Sequence, residues 1–142
     1  MTSTKPMNAG GIMEERFILE KDHVVSDRQT GLMWQRSAST DRIVWKSGFD
    51  CIDKLNTENF AGYNDWRYPT KDELATLILT EENRISGLYI DPLFEKQRNC
   101  WSSTQCEGHQ ACYADFYYGD MYLVEENYAN FFVRAVRSRN RD

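Results

Sequence analysis

Apolar positions open the chain in three short strand-like runs. Residues 16–20 (RFILE), 23–27 (HVVSD) and 30–35 (TGLMWQ) are rich in β-branched and aromatic side chains, with Asp27-Arg28-Gln29 supplying turn chemistry. They predict an N-terminal hairpin or meander. The period then changes: Trp45, Phe49, Ile52 and Leu55 recur at helical spacing, with Ser39 to Asp41 as candidate caps and Gly62 beyond, so a first helix is expected over about residues 43–57. Thr70 and Glu73 have the spacing of a capping box, and Leu74, Leu77 and Ile78 follow at i, i+3 and i+4, which predicts a second helix over residues 71–79. After a connector through Gly87 and Asp91-Pro92, strand-like runs return at residues 100–105, 111–118, 121–124 and 131–138, with Gly119-Asp120 as a hairpin signal. Two helices set among antiparallel strands make this an α+β chain, with the helices flanking an antiparallel sheet. The expected core includes Trp34, Trp45, Phe49, Trp66, Leu74, Trp101 and Val136.

Residues 1–15 mix Thr, Ser, Pro, Asn and Gly without periodicity and are expected to form a disordered N-terminal tail, leaving residues 16–142 as one domain. A chain of 142 residues can bury one core without metal or disulfide staples. Its 22 acidic and 17 basic side chains give a net charge of −5, which argues against nucleic acid or any general polyanion as partner. No apolar run approaches the roughly 20 residues that span a bilayer, and residues 1–11 lack the apolar core of a secretory signal. The expectation is therefore no membrane insertion and, for the chain as written, no export address.

Aromatic residues make up 13% of the chain, so they must pack or bind. They crowd with carboxylates and amides over residues 113–130, and the candidate ligand-binding residues are Asp115, Tyr117, Asp120, Tyr122, Glu125, Glu126, Asn127, Tyr128 and Asn130. Tyrosine joins a large contact face to a hydrogen-bonding tip at low entropic cost, which suits recognition. By strand alternation Tyr113, Asp115 and Tyr117 share one face, expected to be the wet one, and Ala114, Phe116 and Tyr118 the other.

Catalytic chemistry has thin support. His23 and His109 are the only imidazole bases, and Ser102 and Ser103 fit a strand in a tight core, so no catalytic residues and no cofactor are expected. Cys51, Cys100, Cys106 and Cys112 admit three full pairings; Cys106 with Cys112 would close a short hairpin loop and leave Cys51 with Cys100. Free thiols or disulfides rank above a zinc site, because a set of Cys100, Cys106, His109 and Cys112 lacks a paired knuckle. Arg134, Arg137, Arg139 and Arg141 form the one basic cluster; the first pair is expected to satisfy internal carboxylates or carbonyls.

Four blocks in fixed order, TGLMWQ at 30–35, GYNDWRYPT at 62–70, WSST at 101–104 and VRAVR at 133–137, resemble the DUF1566 family, also called the Legionella collagen-like protein C-terminal domain. The resemblance spans about residues 16–138 and implies a C-type-lectin-like fold in which both termini meet in one sheet. It also implies a non-enzymatic recognition or adhesion module for a carbohydrate or protein ligand. The calcium-binding triplets of C-type lectins, Glu-Pro-Asn or Gln-Pro-Asp with a later Trp-Asn-Asp, are missing from the sequence, so calcium-independent binding is expected. Three alternatives stand beside this reading. One is a lectin-like variable protein diversified by a retroelement. Another is an enzyme similar to the formylglycine-generating branch using Cys106 and Cys112, although the sequence around them differs from that family. The last is an assembly domain that presents its sheet to further copies.

Overall fold

The computed structural model describes residues 15–138, so residues 1–14 of the expected tail over residues 1–15, and the final arginines, Arg139 and Arg141, lie outside the described residues. The order of elements is β1 (Phe17–Glu20), β2 (Val24–Asp27), β3 (Leu32–Gln35), α1 (Ser47–Thr57), α2 (Lys71–Ala75), β4 (Asn99–Cys106), β5 (Gln110–Asp115), β6 (Asp120–Glu125) and β7 (Val136–Ser138). The fold is mixed α and β, as expected, but its strands divide between two antiparallel sheets. One has the order β1-β2-β3-β7 and the other β4-β5-β6. The closing strand returns to the opening meander, with Trp34 opposite Val136 and Leu32 opposite Ser138.

The meander turns where the polar residues stand. Asp27 is fully buried, and its carboxylate receives Nε and Nη2 of Arg16 at 2.9 and 2.8 Å and the Gln29 amide at 2.9 Å. Gly31, at φ 78°, completes the reversal into β3.

The first helix starts later than its periodicity suggests. Ile43 is drawn into a bridge with Phe131, and Lys46 precedes the helix without any side-chain cap. Ser39, a proposed cap, instead donates to the Asp41 carbonyl and accepts from the Val133 amide. Phe49 is a further correction: it is 43% exposed and packs only edge-on against Trp45 and Tyr68, because α1 turns Gly48 and Ile52 inward. The other expected core residues, Trp34, Trp45, Trp66, Leu74, Trp101 and Val136, are buried.

The second helix has the predicted capping box: Thr70 Oγ1 accepts from the Glu73 amide, and Glu73 Oε1 accepts from the Thr70 amide. It ends at Ala75, four residues short of the predicted 79, as Leu77 and Ile78 bond to Leu74 and Ala75 in tighter i to i+3 turns. Leu79 is then captured by the Tyr89 carbonyl. Residues 76–98 contain no helix or strand.

The GYNDWRYPT block holds the two halves together. Trp66 exchanges two hydrogen bonds with the Asn56 side chain and donates its indole N–H to the Phe60 carbonyl, while Arg67 bridges Val136 by backbone and Glu73 by side chain at 2.7 Å. The three-stranded sheet lies between two apolar clusters. Cys100 and Ala114 face Leu74, Leu77 and Phe94, and Trp101 and Ala111 face Trp45, Trp66 and Val133.

Candidate functional site: a tyrosine surface around Arg98

At the end of the β5–β6 hairpin the rings leave the core. Asp115 pairs with Asp120, so the connection consists of residues 116–119 and is longer than the two-residue turn expected from Gly119-Asp120. Asp115 organises it: Oδ1 accepts from the amides of Tyr117 and Tyr118 at 2.8 and 3.1 Å, and its carbonyl accepts from Gly119. Gly119 has φ 78°, and a Cβ there would meet the Tyr89 ring. Tyr89 and Arg98 clamp the turn from the irregular connector, since the Tyr89 amide donates to the Phe116 carbonyl and the Phe116 amide to the Arg98 carbonyl.

The side chains form a continuous surface. Tyr113 lies opposite Tyr122, with ring centroids 5.9 Å apart; Tyr122 meets Tyr118 at 6.4 Å, and Tyr118 meets Tyr117 at 5.0 Å. The Arg98 guanidinium stands over Tyr117 at 4.6 Å and Tyr118 at 5.3 Å, with its Nε 3.5 Å from Asp115 Oδ2. Tyr117, Tyr118 and Tyr122 are 53%, 61% and 40% exposed, whereas Tyr113 is half-buried, stacked on Phe131 at 4.1 Å. Burial, reinforced by the Asp115 charge, raises the Tyr113 pKa and keeps its hydroxyl a donor. Arg98, Tyr113, Asp115, Tyr118 and Tyr122 line an open recess of about 270 Å³. Three larger recesses, about 410, 430 and 810 Å³, lie beside Ile85 and Phe94, beside Leu55 and Phe60, and beside Asp41 and Phe132; none of the three is lined by tyrosine.

The proposed binding residues therefore separate. Asp115, Tyr117 and Tyr122 come together, joined by Tyr113, Tyr118 and Arg98. The expected wet face is corrected in part. Ala114 and Phe116 are buried as proposed, but Asp115 is only 4% exposed because it caps its own turn, and Tyr118 swings out beyond the strand end. Asp120 is exposed and binds the Met121 amide. Glu125 and Asn127 form a local turn at the other end of β6, with exposed Tyr128 next to it. Glu126 is buried: its Oε2 accepts from Gln105 Nε2 at 2.7 Å, and its carbonyl accepts from Trp45. Asn130 lines a separate open depression with Asp41 and Arg42. Arg98 escaped the sequence reading because it sits in a connector without periodicity, and only the fold brings it to the tyrosines.

The arginines of VRAVR face inward. Arg134 is fully buried and donates to the carbonyls of Gln35, Arg36 and Glu95 and to Gln97 Oε1, while Arg137 pairs with Asp65 at 2.6 Å and covers the Tyr63 ring at 3.8 Å. All four cysteines are free thiols in this structure. Cys51 packs on one apolar cluster and Cys100 is buried in the other. Among the described residues no three His, Cys, Asp or Glu side chains converge as metal ligands would.

Residues 23–137 match the model of the Lcl C-terminal domain. The chain belongs to that family. The matched span begins at His23, just before β2, and ends at Arg137 on β7, so it takes in both helices, the three-stranded sheet and, of the four-stranded sheet, all but β1 and the last residue of β7. The Lcl C-terminal domain thus carries the tyrosine surface and the internal arginines within its own boundaries. Comparison with curated proteins finds no match.

Proposed function

We propose that this Lcl C-terminal domain is a non-enzymatic recognition module of C-type-lectin-like fold that binds a carbohydrate or protein ligand, without calcium, on the surface formed by Tyr113, Tyr117, Tyr118, Tyr122 and Arg98. The observation that carries the reading is the unbroken ring-to-ring contact of exposed tyrosines around an arginine-stacked recess. Large apolar side chains held outside the core give contact area, and phenol and guanidinium groups give directional hydrogen bonds at its rim. The turn beneath is already ordered by Asp115, so little flexibility is lost on binding. Support for the lectin-like fold comes from the pairing of β3 with β7 and from the long irregular stretch over residues 76–98.

A glycan and protein array, probed with calcium and with chelator, tests both ligand and metal. Binding should be the same in the two conditions. Replacing Tyr118 and Tyr122 together by Ala should weaken it about tenfold or more, the effect of removing about 1.4 kcal/mol of contact. Loss of binding in chelator overturns calcium independence, and full binding by the double variant overturns the site.

A further inference from the structure

Cys106 and Cys112 lie on one hairpin. β4 runs out to Cys106, the Glu107–His109 turn reverses the chain through left-handed Gly108 and His109 at φ 72° and 61°, and β5 returns with Gln110 opposite Cys106 and Ala111 opposite Gln105. Gln110 and Cys112 share a face of β5, and Cys106, the cross-strand partner of Gln110, shares it with them. The next pair along is Trp101 with Tyr113, so Ser102, Ser103 and Thr104 bulge opposite Cys112 alone. Ser102 Oγ donates to the Cys112 carbonyl at 2.7 Å and anchors that bulge. The register makes Cys112 the diagonal neighbour of Cys106 on that face, and burial, followed by the neighbouring Cys106 thiol, raises the Cys112 pKa. Their exposures differ: Cys106 is open to solvent, while Cys112 is 7% exposed behind it. Cys51 and Cys100, by contrast, lie in different apolar clusters.

We propose that Cys106 and Cys112 are a reversible dithiol–disulfide pair, oxidised by a low-molecular-weight disulfide such as glutathione disulfide. Cys106, the exposed sulfur, attacks first as its thiolate. One sulfur of glutathione disulfide becomes bonded to Cys106, the original S–S bond breaks, and the first glutathione leaves as a thiolate and takes up a proton. Cys112 then gives up its proton and attacks the Cys106 sulfur of the mixed disulfide, expelling the second glutathione. The two protein thiols lose two electrons and two protons, and two glutathione thiols gain them. The link closes only the turn, so its effect is local: it fixes the bulged end of β4 against β5, the strand that carries Tyr113.

The test is a titration of the full folded chain with glutathione disulfide, followed by thiol counting and peptide mapping. Free thiols should fall from four to two per chain, a single Cys106–Cys112 peptide should appear, and dithiothreitol should restore all four. The Cys106→Ser variant, altered at an exposed position, should keep all its remaining thiols under the same oxidant; it provides the control if Cys112→Ser does not fold. Four thiols surviving excess oxidant, a stable glutathione adduct on Cys106 with Cys112 still free, or a covalent dimer on a non-reducing gel each overturns the proposal.

Discussion

Arg134 shows how much one buried side chain can hold. Burial works against its charge and lowers its pKa, and four oxygen acceptors from β3 and the irregular connector compensate. Replacement by Met leaves those oxygens without their donor, so Arg134→Met should cost on the order of 3 kcal/mol in urea unfolding. Lys should not restore it, since an ammonium cannot present the planar fork that reaches both segments. Trp66→Ala should cost about 3–5 kcal/mol by the same measurement, because Trp66 is 2% exposed and its removal leaves a cavity between Phe60 and Tyr63. Asp115→Ala should lose about 1–3 kcal/mol by freeing two turn amides, and ligand affinity should fall with it as Tyr117 and Tyr118 lose their fixed positions.

Within the elements, close approach sets the limits. A Cβ on Gly48 would overlap the Tyr68 hydroxyl, which donates to the Trp45 carbonyl at 3.1 Å inside the core. Gly48→Ala should therefore destabilise by about 1–3 kcal/mol although Ala is the better helix former, and a fall in thermal midpoint would register it. The junctions of β2 and α2 carry a pH dependence. At Asp27 and Glu73 burial pushes the carboxyl pKa up, but hydrogen bonds from Arg16 and Gln29 in one case and from Arg67 and Thr70 in the other outweigh it, so both titrate below their ordinary 3.8 and 4.5. A carboxylate with a lowered folded pKa contributes stability above its unfolded value and loses it as pH falls through the folded one. Urea midpoints should hold above pH 4.5 and drop progressively below it, and Asp27→Asn should flatten part of that slope. An acid slope unchanged by Asp27→Asn would remove Asp27 from this account.

For the molecule as a whole, charge restricts the partners. The net charge is −5, and the structure commits Arg134 and Arg137 internally, so only Arg139 and Arg141 of the basic cluster remain for a polyanion. At physiological salt the Debye length is about 8 Å, which requires direct contact. Heparin binding should therefore be weak, fall steeply with added salt, and largely vanish when residues 139–142 are removed; tight binding that survives both would reveal a basic site in the body of the domain. None of the helices among the described residues is long and apolar enough to cross a membrane.

Local chemistry alone determined several features of this protein. The three opening strands, the capping box at Thr70 and Glu73, and the burial of Trp34, Trp66 and Trp101 were legible because each depends on neighbours within a few residues or on apolar character. The ordered blocks likewise identified the family from sequence. Boundaries were less legible: periodicity carried α1 back to residue 43, whereas the bridge from Ile43 to Phe131 keeps those residues extended. Tertiary structure decided the division into two sheets, the inward turn of Arg134 and Glu126, and the meeting of Arg98 with Tyr117 and Tyr118. These depend on contacts between distant segments, and a tyrosine or glutamate in a strand has the same local signature whether its tip ends in water or on a buried partner.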